Sequence, residues 1–395
     1  MSIANSIHHS NHIYNYFKTL NLGLFLSDVY LNHLMAIILS VFLRGYRGKT
    51  VDFQEVSHCH RTTTAYFLNH GKWDDIALQD TLKRSILHII YREAQRSGQP
   101  VYCIVDDTIA SHTRPSSQAL HPIEAAYFHQ SHLKGRQDYG HQVVSVMLSC
   151  NGITLNYAVI LYDKSKSKIQ IVKEIAEELP IAPVVSYFLC DSWYTSSKVM
   201  DSFIRKGFYT IGALKTNRIL YPWGIRQKAS LFALHLRKTD PGVSLVTVGG
   251  RQFYVYRYEG ELNGIPNAAV IISYPKDAFG NPKALRLFLS TDVSLSTLEI
   301  LETYIKRWPI ELFFRQSKSK LALDKYQLRS RQGIQRYWLI MSLVHFLCCM
   351  HSGSNCAFEE GYAFLQKQLK QEQLTNLYRF IKSGASIEAV MELAG

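Results

Sequence analysis

Apolar side chains along residues 1–97 recur at three- and four-residue intervals, the period of helices that bury one face, and strand-like alternation is scarce there. The run 34–43, broken only by Ser40, predicts a buried helix and is far shorter than a membrane span. Residues 51–68 read as two short helices around Ser57, His58, Cys59 and His60. A longer helix over 80–94 ends at the break Ser97, Gly98, Gln99, Pro100. The period then changes. Strand-length apolar stretches at 101–108, 142–149 and 154–161 precede a charged helix at 168–179, a buried strand at 184–190, a helix at 196–206 and a strand at 208–214. Asn151-Gly152 predicts a tight hairpin between the second and third strands. Short β-like pieces at 244–248, 252–258 and 268–274 follow, joined by Gly-Gly, Asn-Gly and Gly-Asn turns. A strand at 285–289, a capping box of Ser296 with Glu299, a helical pattern through 304–318, an apolar helix at 338–350 and a helical tail over 358–393 complete the chain. No tandem repeat or low-complexity segment suggests an array.

Composition adds a partner class. A hydrophobic content of 47% over 395 residues supports two or three cored domains. Lys and Arg total 44 against 31 Asp and Glu, and a net charge of +13 favours a polyanion. Residues 304–336 hold nine basic side chains against Glu311 and Asp324, so the charge is concentrated as a nucleic-acid surface requires. Seven cysteines with no Cys-x-x-Cys pair fit buried thiols in a reducing cytoplasm. His58, Cys59 and His60 are adjacent and have no second ligand cluster at zinc-finger spacing, so zinc is not expected. Residues 1–9 carry neither a basic nor an apolar signal region, and the expectation is a cytoplasmic protein with no membrane partner, nucleoid-associated when bound to DNA.

The candidate chemistry lies in YIKRWPIELFFRQSK, residues 304–318. On a continuous helix Tyr304, Arg307, Glu311 and Lys318 fall within about 60° of one another, a lone carboxylate in a cationic stripe. Pro309 is tolerated in a first turn and kinks an interior one, so Glu311, Arg315 and Lys318 share a face more firmly than Tyr304 and Arg307 do. A solvated amphipathic helix with Trp308, Leu312 and Phe313 packed inward is the plainer reading. Upstream, two strands end in carboxylates, Asp106 with Asp107, and Asp191. Alternation puts Asp106 on the face of Ile104, while Asp107 stays open as its rival or neighbour.

Segment 304–318 resembles the Tyr-(2)-Arg-(3)-Glu-(6)-Lys signature of one branch of DDE transposases, enzymes encoded by bacterial insertion sequences, and all four residues and three spacings match. The resemblance extends over residues 100–340. It implies an α/β fold with a ribonuclease H-like core, whose first acid lies on the first strand and whose second follows the fourth, the places of Asp106 and Asp191. The layout implied is a helical DNA-binding domain (1–99), the first part of the core (100–216), a β-rich insertion (217–284), the rest of the core with the signature helix (285–350) and a helical tail (351–395). Asp106, Asp191 and Glu311 would hold two Mg²⁺ ions, for which Mn²⁺ can substitute, for in-line displacement at a DNA phosphodiester. Asp106-Asp107-Thr108 also fits the family's Asp-x-Thr tripeptide.

DNA contacts are assigned to Tyr304, Arg307, Arg315, Lys318, Lys320 and Arg329. Trp308 either holds a base flipped from the transposon end or packs in the core. Arg61, Thr62 and Thr63 would open the groove-reading helix of a helix-turn-helix, with a plain helical hairpin as the alternative. His112, His121, His129, His132 and His141 lie between the first two strands with no assigned chemistry. The implied function is binding of terminal inverted repeats, cleavage of the ends and joining to target DNA by a homodimer on paired ends. The rivals are a metal-dependent nuclease on the same core and a DNA-binding regulator derived from a transposase, against which the intact acids count.

Overall fold

The computed structural model describes residues 10–43, 48–57, 59–120, 122–131, 135–262, 264–351, 357–388 and 390, the side chains of Glu55 and Ser57 excepted. His58, His121 and His132 lie outside this set, as do residues 1–9. The helical period of the first part produces α1 (Asn11–Thr19), α2 (Asp28–Leu43), α3 (Val51–Ser57), α4 (Arg61–Asn69) and α5 (Asp75–Ser97). The change of period then produces β1 (Tyr102–Ser111), β2 (Tyr127–Ser131), β3 (Arg136–Cys150) and β4 (Ile153–Tyr162). Asn151 (φ 45°) and Gly152 (φ 85°) both take the left-handed conformation that a two-residue β3–β4 turn demands.

Helix α6 (Lys168–Glu178) leads to β5 (Ser186–Cys190), and α7 (Ser197–Ile204) to β6 (Phe208–Leu214). The spatial order is β4-β3-β1-β5-β6, with β1, β5 and β6 parallel and β3 antiparallel to both β1 and β4. This mixed α/β arrangement agrees with a ribonuclease H-like core. Strand β2, absent from the sequence reading, pairs with the polar first third of β3, where Arg136, Gln137 and Asp138 carry no apolar alternation.

The sheet continues past β6. Short β7 (Ile219–Leu220) and β8 (Gln227–Lys228), helix α8 (Ala229–His235), then β9 (Val243–Val248), β10 (Arg251–Leu262) and β11 (Ile265–Pro275) lead to β12 (Arg286–Ser290), which pairs antiparallel with β6 from Leu287 opposite Leu214 to Ser290 opposite Ile211. Residues beyond 217 therefore extend the core sheet by hydrogen bonds that local sequence could not reveal.

Beyond β12 come α9 (Thr297–Ile305), α10 (Pro309–Lys320), α11 (Arg331–Met350) and α12 (Phe358–Lys382). The Ser296–Glu299 capping box forms. The continuous helix over 304–318 does not: α9 stops at Ile305, a turn holds Lys306, Arg307 and Trp308, and Pro309 opens α10, where its missing N–H costs nothing.

Strand alternation divides the core. Val101, Cys103 and Val105 join a cluster with α6, α11, α12 and the N-terminal helices. Tyr102 and Ile104 face a second cluster made with Ile300, Leu301, Ile310, Phe313 and Phe314 of α9 and α10. Helix α11 is the one element, among the described residues, long and apolar enough to cross a membrane, but 83% of its apolar window is buried within the fold. Five of the seven cysteines are buried thiols, Cys59 is half-buried, and Cys356 lies outside the described set.

Not all of the basic segment faces solvent. Arg336 is 3% exposed and donates to the carbonyls of Leu68 (3.3 Å), Gly71 (2.8 Å) and Trp73 (3.4 Å) and to Asp75 (2.9 Å), its guanidinium 4.8 Å from the centre of the Trp73 ring. It ties α11 to the turn between α4 and α5. Arg336→Met keeps much of the volume but strips these acceptors of their donor. It should cost about 3 kcal/mol in denaturant titrations, and a loss within ~0.5 kcal/mol would contradict this role.

Candidate active site

Parallel pairing sets the site. Val105 on β1 is registered with Cys190 on β5, so Asp106 and Asp191 follow at matching positions on neighbouring strands. Alternation turns Asp106 toward α9 and α10, the side of Tyr102 and Ile104. The segment that carries Glu311 is attached to that same face at three points. Lys306 Nζ donates to the Tyr102 hydroxyl (2.8 Å), Arg307 Nη1 to Asp106 Oδ2 (2.5 Å), and Lys318 Nζ to Thr108 Oγ1 (2.8 Å) and the Ile109 carbonyl (3.0 Å). Tyr102, Asp106 and Thr108 are the even-numbered, same-face positions of β1.

Arg307 is the junction. Its Nη2 donates to Glu311 Oε1 (2.7 Å), so one guanidinium joins a strand carboxylate to a helix carboxylate. The ring of Tyr304 lies 5.8 Å from that guanidinium and packs on Phe288 (4.8 Å between centroids). Arg307 and Glu311 thus face each other despite the break before Pro309.

Electrostatics follow from burial. Asp106 is pushed up to about 7 chiefly by desolvation, which the Arg307 charge opposes, with Asp191 and Asp107 adding to the rise and the Asp107 N–H bonded to its Oδ1 (2.8 Å) resisting it. Asp191 is also raised by burial, opposed by the Trp193 N–H on its Oδ1 (2.9 Å). Burial works against the charge of Arg307, but Tyr304, Asp106 and Glu311 together raise its pKa. Burial therefore governs the Asp106 carboxyl, and pairing governs the guanidinium.

Asp107 points to the other side. It accepts from Lys168 Nζ (3.0 Å) at the start of α6, from the Tyr194 hydroxyl (2.7 Å) and from Gln142 Nε2 (2.5 Å). These contacts tie the loop after β5 to β1. No sequence signal predicted them, because α6 and the loop meet Asp107 only in the folded sheet.

The remaining candidates separate into groups. Arg315 and Arg329 are exposed, and Lys320 lies exposed over the Tyr362 ring (5.2 Å). Trp308 is 58% exposed at a cavity of about 560 Å³ lined by Arg251, Phe253, Arg286, Phe288, Leu301 and Tyr304 among others, so it is not a core residue. Arg61, Thr62 and Thr63 are exposed on the first turn of α4, a helix packed on α11 and not on the acids. His141 is internal: its Nε2 donates to the Glu124 carbonyl (2.8 Å), its Nδ1 accepts from Tyr326 (2.7 Å), and burial lowers it to about 4.

No three His, Cys, Asp or Glu side chains among the described residues converge as a ready metal-ligand group. The donor chemistry nevertheless fits a hard divalent cation. Asp106 and Asp191 are oxygen donors at adjacent strand positions, each held toward neutrality by burial, and Arg307 shows that positive charge is taken up between Asp106 and Glu311.

A mixed α/β sheet in this order, with one acid on β1, one just after β5 and one on a helix laid over them, is consistent with a ribonuclease H-like DDE enzyme. The sequence pattern described as "Transposase DDE domain" matches residues 97–347, and the chain belongs to that family. DDE transposases act on DNA and generally use divalent metal ions. No curated protein matches the chain.

The raised Asp106 has a thermodynamic signature. Its folded pKa of about 7 exceeds the ordinary 3.8, so stability falls as pH rises through that window, because the unfolded chain releases its proton first. Without divalent ions, the stability difference between Asp106→Asn and wild type should move in the variant's favour from pH 5 to pH 8, by at most about 1.4 kcal/mol per pH unit. A margin independent of pH would show that Asp106 titrates normally.

Proposed function

We propose that this transposase binds the terminal inverted repeats of its element, cleaves the 3′ ends and joins them to target DNA, with Asp106, Asp191 and Glu311 as the metal-holding acids. The observation that carries this reading is the Arg307 junction, which gathers residues 201 apart in sequence into one charged cluster at the middle of β1, beside the end of β5 where Asp191 stands. Bound Mg²⁺ would activate the attacking water or 3′-hydroxyl and neutralise the leaving oxygen. Arg307 orients two of the acids and presents its remaining N–H groups to a phosphate. Lys318, committed to β1, holds α10 in place. Arg315, Lys320 and Arg329 meet flanking phosphates, and Trp308, at the mouth of its cavity, receives a base displaced from the end. Arg61, Thr62 and Thr63 read the repeat from α4, and two copies act on paired ends.

Asp106→Asn, Asp191→Asn and Glu311→Gln should each abolish cleavage of a fragment carrying the flanking repeats while leaving its gel-shift affinity within about threefold. Mg²⁺ should raise the melting temperature of wild type at pH 8 and leave that of the two aspartate variants unchanged. Near-normal cleavage by any variant removes that residue from the set. Asp107→Asn tests the alternative acid: a dead Asp107 variant beside an active Asp106 variant would exchange their roles.

The exposed cations carry a second expectation. Binding should weaken with salt at a log-log slope of about −0.9 per phosphate neutralised, and Arg315→Ala, Lys320→Ala or Arg329→Ala should each flatten it on any duplex. An effect confined to the end sequence would mark that residue as a base reader.

A further inference from the structure

Trp193 stands two residues after Asp191, and its position is unusual for an indole. The loop around it is locked. Tyr194 is fully buried with its hydroxyl on Asp107 (2.7 Å), Thr195 is 1% exposed, and the Thr195 carbonyl accepts from Arg218 (2.5 Å). Gly212 on β6 approaches so closely that a Cβ there would lie 2.7 Å from Thr195 Cγ2. Between these fixed neighbours Trp193 is 50% exposed, so the fold spends no core volume on it. Its backbone N–H donates to the Asp191 carboxylate (2.9 Å), which holds the main chain of Trp193 beside the acid cluster.

Two ammonium groups attend the ring. Lys168 Nζ lies 4.6 Å and Lys215 Nζ 4.7 Å from its centre, one from the start of α6 and the other just after β6. An exposed aromatic surface with two cations is the combination that binds a nucleotide strand, the base stacking on the ring and the ammonium groups meeting phosphates. Lys168 also bonds Asp107, so Lys215 is the cation free to exchange the ring for a phosphate.

We propose that Trp193, with Lys168 and Lys215, forms a seat for one nucleotide of the DNA strand that enters the acid cluster from the α6 side of the sheet. The base takes the place of the Lys215 ammonium on the indole, and that ammonium passes to the adjoining phosphate. The inference rests on the DNA-acting reading above and adds a contact outside the signature segment.

The full chain can be tested with a labelled 16-nucleotide oligothymidylate and a 30-base-pair duplex bearing a single-stranded overhang. Trp73 and Trp338 are buried, so in a Trp223→Phe, Trp308→Phe background Trp193 is the exposed indole that DNA can quench. Quenching that follows the anisotropy titration is expected. Trp193→Ala should weaken binding of both probes about tenfold with an unchanged melting temperature, and Trp193→Phe should restore most of it. Lys215→Gln should reduce the salt slope on oligothymidylate by about 0.7. Normal affinity of Trp193→Ala, or binding without quenching, overturns the seat while leaving the DNA-acting reading intact. Absence of any DNA binding by wild type overturns both.

Discussion

The site depends on one half-buried fork, the Arg307 guanidinium between Asp106 and Glu311. Two aspartates at matching positions of adjacent parallel strands repel each other, and each carboxylate loses several kcal/mol of hydration on burial. A planar guanidinium offers two directed donors at once, one for the strand acid and one for the helix acid, which a point-charged ammonium could not supply with the same geometry. The fork is formed across a break between two helices. Helix α9 ends at Ile305 and Pro309 begins α10, and the intervening turn carries Arg307 to β1 while α10 presents Glu311 one helical turn further on.

Around this fork, strand alternation acts as the organising rule. Even-numbered positions of β1 receive the signature segment, whereas Asp107 on the opposite face receives α6 and the loop after β5. The site is thus supported from both sides of one strand. Further out, the N- and C-terminal helices share a core with the sheet. Tyr362 donates to the Val41 carbonyl (2.9 Å), and Glu372 accepts from the Ser10 hydroxyl (2.6 Å) and the Asn11 N–H (2.7 Å).

Charge counting proved a coarser guide than geometry. Of the nine basic residues between 304 and 336, Arg307 serves the acids, Lys318 clamps β1, Arg331 pairs with Asp163 (2.5 Å), and Arg336 is buried in a carbonyl cage. The segment remains basic, but these four of its nine charges are engaged by groups of the protein itself. The cations bracketing Trp193 come from elsewhere, on α6 and after β6, and no charge run announced them.

The sequence by itself determined whatever depends on local period and local chemistry. Alternating apolar runs marked β1, β3, β4, β5 and β6, Asn151-Gly152 marked their hairpin, Ser296 with Glu299 marked the start of α9, and fixed spacing singled out Tyr304, Arg307, Glu311 and Lys318. Only the tertiary structure decided the rest. It broke the signature helix at Arg307, joined the strands beyond residue 217 to β6 through β12, set Asp106 and Asp107 on opposite faces with different partners, and exposed Trp193 and Trp308 while burying Arg336. The reason is physical: helix and strand periods are properties of neighbouring residues, whereas burial, pairing and pKa depend on which distant elements cover a side chain, and that is settled only when the sheet closes over its two cores.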